Sequence, residues 1–291
     1  MSQPLVSIFM PTYNHELFIH EAVQSCLNQT YKNIQIVISD DGSIDQTASI
    51  LEKYSTDFPD IIKLNINKVN LGLKINANLC LSLCEGEYIV FFSGDDVMHP
   101  KKIETQIFEF LNNEKLVLCG HRFNYIDCDS NLISTGRIGK DKGFGLKDWL
   151  TDDVLTNAPS IMVKSERIPS TGYDLRLNIG EKKLWIDIVG KDGEFLYLDK
   201  VLGDYRRHSN NLSSEIVITE DSKILLEMIR EEYSDWLPKS YLINFQSSIY
   251  FSESSFYFKN RRWIFFLIKM LQSLYCSPLA FLKRLALLFS K

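Results

Sequence analysis

Several features are missing from this sequence, and each absence removes a class of protein. No cysteines have the close spacing of a zinc site. Cys26, Cys80, Cys84, Cys119, Cys128 and Cys276 are scattered, which suits free thiols in a reducing compartment rather than a disulfide framework. Cys80 and Cys84 lie four apart in a helix-like stretch and read as core thiols. No G-x-G-x-x-G turn follows the first apolar run, so a dinucleotide-binding reading fails at the first loop. Positive charge is not in excess: the net charge is -5, which gives no support to a nucleic-acid partner. The longest charge-free stretch of the tail, residues 270–282, contains Pro278 and is too short to span a bilayer. The N-terminal MSQPLVSIFMP has neither a basic n-region nor a small-residue cleavage site, so it does not read as a signal peptide. Acid is missing from the tail: no Asp or Glu follows Glu253, while Lys259, Arg261, Arg262, Lys269, Lys283, Arg284 and Lys291 lie beyond it.

What is present is an ordinary globular composition, 45% apolar and 24% charged, with alternating strand and helix patterns. Leu5 to Met10 reads as a strand broken by Pro11. Residues 15–29 have helical periodicity, and Ile34 to Ser39 is a second apolar strand. Asp45 is placed to cap a helix running to about Tyr54. Ile61 to Asn65 (strand), Lys74 to Cys84 (helix) and Tyr88 to Ser93 (strand) continue the alternation. The pattern predicts an α/β fold, a mostly parallel sheet flanked by helices. After about Leu116 it is less regular, with strands at 117–125, 160–164 and 194–198, a polar loop or hairpin at 129–145, and a helix at 182–190. The chain from about Ser222 reads as helical and aromatic.

Two acidic pairs stand at strand ends: Asp40-Asp41 after IQIVIS, and Asp95-Asp96 after YIVFFSG. Either pair alone suits a turn. Together they deliver four carboxylates to the edge where open α/β sheets bind ligands. A hard divalent cation carrying the phosphates of a nucleotide would offset their repulsion.

The strings VSIFMPTYNHELFIHEAVQSCLNQTYKNIQIVISDDGSIDQT, NLGLKINAN, FFSGDD, SIMVKSERIPSTGYDLRLNIGEKKLWIDI and YRRHSNNLS resemble the family 2 glycosyltransferases over roughly residues 4–213. The resemblance implies a GT-A, Rossmann-like catalytic domain over residues 1–215, followed by a helical appendage over 216–291. It implies that Pro11, Thr12, Tyr13 and Asn14 border the nucleotide base, that Asp40 or Asp41 accepts from a base N–H, and that Lys74 and Asn78 reach the nucleotide. The family's Asp-x-Asp metal motif is here Ser93-Gly94-Asp95. Asp95 therefore inherits the ligand role for Mg²⁺ or Mn²⁺, and Asp96 adds a ribose or outer metal contact. His208 completes the metal site, with Arg206 and Arg207 neutralising phosphate. Aligning Leu184 and Trp185 puts Gly180 and Glu181 at the family's acidic positions. Glu181 is then the base that deprotonates the acceptor, with Asp187 as the fallback.

The implied activity is inverting transfer of a hexosyl or N-acetylhexosaminyl group from a nucleotide-diphosphate donor, UDP-sugars favoured, to a hydroxyl acceptor. The acceptor would be a glycan or lipid-linked glycan in bacterial surface-polysaccharide assembly. The enzyme would be cytoplasmic or peripheral on the inner face of the cell membrane. Two other readings stay open: a non-catalytic, membrane-associated subunit that kept the fold, and a nucleotidyltransferase, against which PTYNHE speaks by lacking a Gly- and Arg-rich loop. The basic, aromatic tail over 255–291 either lies on an anionic membrane or packs on the catalytic domain or a second copy.

Overall fold

The computed structural model describes residues 3–136, 142–144, 158–208 and 215–289. They fall into two compact units: residues 3–136, 142–144, 158–175 and 181–208 in the first, residues 176–180 and 215–289 in the second.

The first unit is built on one sheet, β1 (Val6–Thr12), β2 (Ile34–Asp40), β3 (Ile62–Ile66), β4 (Tyr88–Phe91), β5 (Val97–Met98), β6 (Leu116–Ile126), β7 (Leu132–Thr135), β8 (Lys142–Phe144), β9 (Met162–Lys164) and β10 (Glu194–Arg206). The strand order is β3-β2-β1-β4-β9-β6-β10-β5, with β7 on β6 and β8 on β10. The parallel pairing expected from the alternating pattern holds across β3-β2-β1-β4. β9 then enters antiparallel to both β4 and β6, and β10 runs parallel to β6. The result is a mixed sheet, parallel on one side and interrupted by the antiparallel strand β9. The segment expected to be a loop or hairpin after 129 pairs back on β6 as β7.

Helices α1 (Ile19–Leu27), α2 (Thr47–Asp57), α3 (Leu73–Ser82), α4 (Lys102–Asn112) and α5 (Glu181–Val189) flank the sheet. Alternate residues of each central strand face opposite layers. Ile8, Met10, Ile36 and Ile38 pack with Ile19, Val23 and Cys26 of α1 and with Ile103 and Ile107 of α4 in one core. On the other face Phe9 and Phe91, register partners of β1 and β4, meet at 4.9 Å between ring centroids. There Trp185 of α5 stands edge-on to Phe91 at 4.6 Å and Tyr173 stacks on Phe9 at 6.3 Å. Burying both faces explains why these strands read as unbroken apolar runs.

Two local readings are corrected. Pro11 does not break β1, which runs on to Thr12 in register with Asp40. Phe9 and Pro11 point to the β4 side, where β1 and β4 stop pairing at Phe91, so the missing proline N–H leaves no ladder bond unmade. Asp45 also stands one residue before the cap position. Its carboxylate accepts from the Thr47 amide, the first helical residue, and from the Glu16 amide.

The second unit holds α6 (Glu215–Glu232), α7 (Lys239–Lys259), α8 (Trp263–Cys276) and α9 (Pro278–Phe289). α7 and α8 touch through small residues: Ser247 and Ser273, both fully buried, exchange hydroxyl and carbonyl hydrogen bonds at 2.8–3.0 Å. Among the described residues no helix is long and apolar enough to cross a membrane.

Candidate active site

The strand ends β1, β2 and β4 carry the first site elements to one sheet edge. The β1 loop and the β2 loop are tied together. Asn14, in the left-handed region at φ 54°, donates its amide to Ser43 and accepts from the Ile44 amide. Asp40 is fully buried and accepts from both the amide and the hydroxyl of Ser43. The two carboxylate oxygens keep lone pairs beyond these bonds. Asp41 has a different part: its oxygens accept from Asn67 and from the amides of Leu71 and Gly72, holding the loop that enters α3. Below it the amides of Asn65, Asn67 and Asn76 and the Ser39 hydroxyl form a hydrogen-bonded network, for which the sequence carries no periodic signal. Tyr13 is 40% exposed, leaving its ring face open at this edge. Thr12 is buried and hydrogen-bonds His15 at 3.0 Å.

Lys74 and Asn78 of α3 sit against the 173–175 segment. Lys74 donates to the Leu175 carbonyl at 2.7 Å. Asn78 accepts from the Tyr173 amide and donates to its carbonyl, so both its polar atoms grip that one residue. The two side chains thus shape the segment that carries Tyr173 over the sheet.

The second acidic pair turns sharply after β4. Gly94 is required here: a Cβ would come within 2.6 Å of the Thr12 hydroxyl and 2.8 Å of His15. Asp95 is buried and meets His208 at 2.9 Å, Oδ2 to Nε2. Burial works to raise the Asp95 pKa, but the His208 hydrogen bond, followed by His15 and Ser93, holds it below the ordinary carboxylate value. Burial, then the adjacent Asp95 charge, push Asp96 well above that value. Its Oδ1 accepts the Arg206 amide, while Oδ2 is buried with no hydrogen-bond partner among the described residues. His208 stacks on Phe18 at 5.2 Å and stands edge-on to His15 at 6.4 Å. A second histidine in this corner was not singled out from the sequence; its only signal is its place directly after PTYN.

Arg206 is corrected. It is 1% exposed and its guanidinium is spent inside the protein. It donates to the carbonyls of Asp95 and Asp127 and to Ser130, reaches Glu21 at 2.5 Å and lies over the Phe18 ring. A side chain so enclosed fixes the end of β10, and with it His208, against the Asp95 turn; it does not face a phosphate. Arg207 is exposed and stacks on Tyr125 at 4.3 Å.

Among the described residues no group of three or more His, Cys, Asp or Glu gathers as a metal cluster. The donors present nevertheless fit a hard cation that takes most of its shell from elsewhere. They are one carboxylate kept ionised, an imidazole 2.9 Å from it, and an unpartnered buried carboxylate oxygen next in sequence. Mg²⁺ and Mn²⁺ are commonly held by one or two carboxylates with substrate phosphates and water.

Glu181 is the first residue of α5, where a helix N-terminus favours a carboxylate. It keeps part of its solvent exposure, yet crowding by the protein pushes its pKa up to about 7. Gly180 before it has φ +79°, a left-handed turn that favours glycine over a side chain. Asp187 is engaged with Lys183, four residues earlier, at 2.6 and 2.8 Å. Within the second unit, Asp221 of α6 accepts from the amides of Asn178, Ile179 and Gly180 and from the Asn178 side chain. That clamp on the three residues leading into Glu181 was invisible in the sequence.

The family model described as Glycosyl transferase family 2 matches residues 7–166. The chain belongs to glycosyltransferase family 2. An uncharacterized glycosyltransferase of Methanocaldococcus jannaschii is 30% identical over 209 residues, 71% of this chain and 72% of that protein. Chondroitin synthase of Escherichia coli is 36% identical over 133 residues, 46% of this chain and 19% of that much longer protein. Among solved structures, S. aureus TarS 1-349 in complex with UDP-GlcNAc has a TM-score of 0.66 at 16% identity, covering 94% of this chain and 81% of that one. The mannosyltransferase PcManGT from Pyrobaculum calidifontis, in complex with GDP-Man and Mn²⁺, has a TM-score of 0.62 at 14% identity, covering 100% and 77%. At these identities the two structures speak for the GT-A fold. The matched family segment contains β1, β2 and β4 with both acidic pairs; Glu181, Arg206 and His208 lie beyond it.

Proposed function

We propose that this family member transfers a hexosyl or N-acetylhexosaminyl group from a nucleotide-diphosphate donor, a UDP-sugar in the first instance, to a hydroxyl of a glycan or lipid-linked glycan, with inversion. Surface-polysaccharide assembly is the setting. The observation that carries the reading is the contact of His208 with Asp95 across 113 positions of sequence, at the edge where the base-bordering loops also end. The UDP-GlcNAc and GDP-Man complexes of the structural neighbours support a sugar-nucleotide donor.

In this reading Tyr13, Asn14 and Asp40 border the base, and Pro11 and Thr12 set their backbone. Asp95 and His208 would hold Mg²⁺ or Mn²⁺, with Asp96 behind them, and the chemistry so supplied would be electrostatic stabilisation of the departing diphosphate. Glu181 takes the proton from the acceptor hydroxyl. That oxygen bonds to the anomeric carbon as the bond from that carbon to the β-phosphate oxygen breaks, and the nucleoside diphosphate leaves with the electron pair. A pKa of about 7 suits a general base near neutral pH. Asp41, Lys74 and Asn78 act on the nucleotide through the loops they hold. The catalytic domain over 1–215 and the appendage over 216–291 are the proposed division of labour.

A screen of UDP- and GDP-sugars tests this by measuring nucleotide release with Mn²⁺ or Mg²⁺ and with excess chelator, followed by the anomeric configuration of the product. Metal-dependent release from one donor with an inverted product is expected. Undiminished turnover in chelator would refute the metal assignment, and no release from any donor would favour the non-catalytic subunit.

A further inference from the structure

The α8 helix carries Lys269, Gln272 and Ser273 at helical spacing on one side and apolar residues on the rest of its surface. α7 covers one side, where Ser273 is fully buried and Lys269 pairs with Glu253 at 2.9 Å. The opposite side is open. Ile264, Leu267, Ile268, Leu271 and Tyr275 are 74%, 57%, 44%, 64% and 94% exposed. Their spacing of three and four puts them in one stripe. Trp263 starts the stripe at 54% exposed, and Leu279 and Leu282 of the following α9 are exposed at 70% and 56%. Such a contiguous apolar face marks an interaction surface.

We infer that this stripe inserts into the surface of an anionic lipid bilayer, with α8 lying in the membrane plane. Charge selects the occupant. Arg261 and Arg262 are exposed immediately before the stripe, and no acid follows Glu253 in the sequence. Two cations of the tail do not take part: Lys269 is held by Glu253, and Arg284 is 9% exposed. The aromatic residues Trp263 and Tyr275 mark the two ends of the helix, the side chains that favour the headgroup level. The 14 residues of α8 are about 21 Å long at 1.5 Å per residue, short of a roughly 30 Å hydrocarbon core. An in-plane helix with an apolar face and basic flanks is the interfacial arrangement. The inference names where a lipid-linked acceptor would be met. It is tested without donor, so its failure and that of the proposed activity are distinguishable.

The test is sedimentation of the full chain with vesicles of phosphatidylcholine alone or mixed with phosphatidylglycerol, at low and high salt, alongside light scattering without lipid. Wild type should pellet with the anionic vesicles and less so in high salt. The exposed pair L267E/L271E should abolish pelleting with unchanged thermal unfolding. R261Q/R262Q should lower affinity for anionic vesicles by on the order of 10-fold while leaving weak binding to neutral ones. Wild type that stays in the supernatant with both vesicle types overturns the inference. A wild-type dimer turned monomeric by L267E/L271E, with no vesicle binding, would do so too and assign the face to a second copy.

Discussion

Replacing Glu181 with glutamine separates the cost of the proposed base from its use. The carboxyl stands at about 7 against an ordinary 4.5 because burial disfavours its ionised form. Below pH about 4.5 the side chain is neutral in both folded and unfolded chains and costs nothing. Between about 4.5 and 7 the unfolded chain gives up its proton while the folded one keeps it, and stability falls as pH rises. Above about 7 the folded chain carries the crowded carboxylate at full cost. The shift corresponds to at most about 3 kcal/mol; partial solvent contact lowers this to about 2 kcal/mol. Glu181→Gln keeps the shape and cannot ionise. It should therefore unfold like wild type near pH 4 and be more stable by about 2 kcal/mol near pH 8. Urea unfolding of both proteins from pH 4 to 8 measures this directly, without any substrate. In the same pH range the wild-type transfer rate should climb to a plateau above about 7, and Glu181→Gln should lose two to four orders of magnitude throughout. A glutamine protein that is equally stable or less stable at pH 8, or one that retains turnover, refutes the assignment of a strained base at this position.

Asp95→Ala should abolish metal-stimulated nucleotide binding, read by calorimetry with and without Mn²⁺; retained metal dependence would move the site elsewhere. Asp40→Ala should weaken nucleotide affinity about tenfold, the worth of one buried hydrogen bond to a charged group, and leave the choice between Mg²⁺ and Mn²⁺ unchanged in the same titration. Arg206→Ala removes the buried guanidinium that donates to the Asp95 and Asp127 carbonyls, to Ser130 and to Glu21 and should cost about 3 kcal/mol of unfolding free energy, about 1 kcal/mol for each buried hydrogen bond; a near-neutral result would mean the guanidinium does not hold the β10 end. Asp221→Ala frees the amides of Asn178, Ile179 and Gly180, and their hydrogen exchange should accelerate by at least tenfold, with the expected loss of rate appearing in kcat rather than in donor KM.

The sequence by itself determined the class of fold and the chemical kind of the edge. Apolar runs ending in Asp40-Asp41 and Asp95-Asp96 specify strands that stop at carboxylates, and this follows from local pattern alone. The pattern likewise set a helix at 182–190, which the structure begins one residue earlier, at Glu181. Which partners each of these carboxylates meets was decided only by tertiary contacts. Asp41 and Asp40 look equivalent in sequence, yet the 67–72 loop closes on the Asp41 carboxylate while Ser43 closes on that of Asp40. Arg206 and Arg207 are likewise neighbours of one type, and the strand pleat turns one into the protein and the other out to solvent. The contact between His208 and Asp95, the β9 strand inserted antiparallel between β4 and β6, and the clamp of Asp221 on the residues before Glu181 all join distant positions. Such pairings depend on how the sheet curls and which loops it brings back to its edge, and no local spacing encodes that.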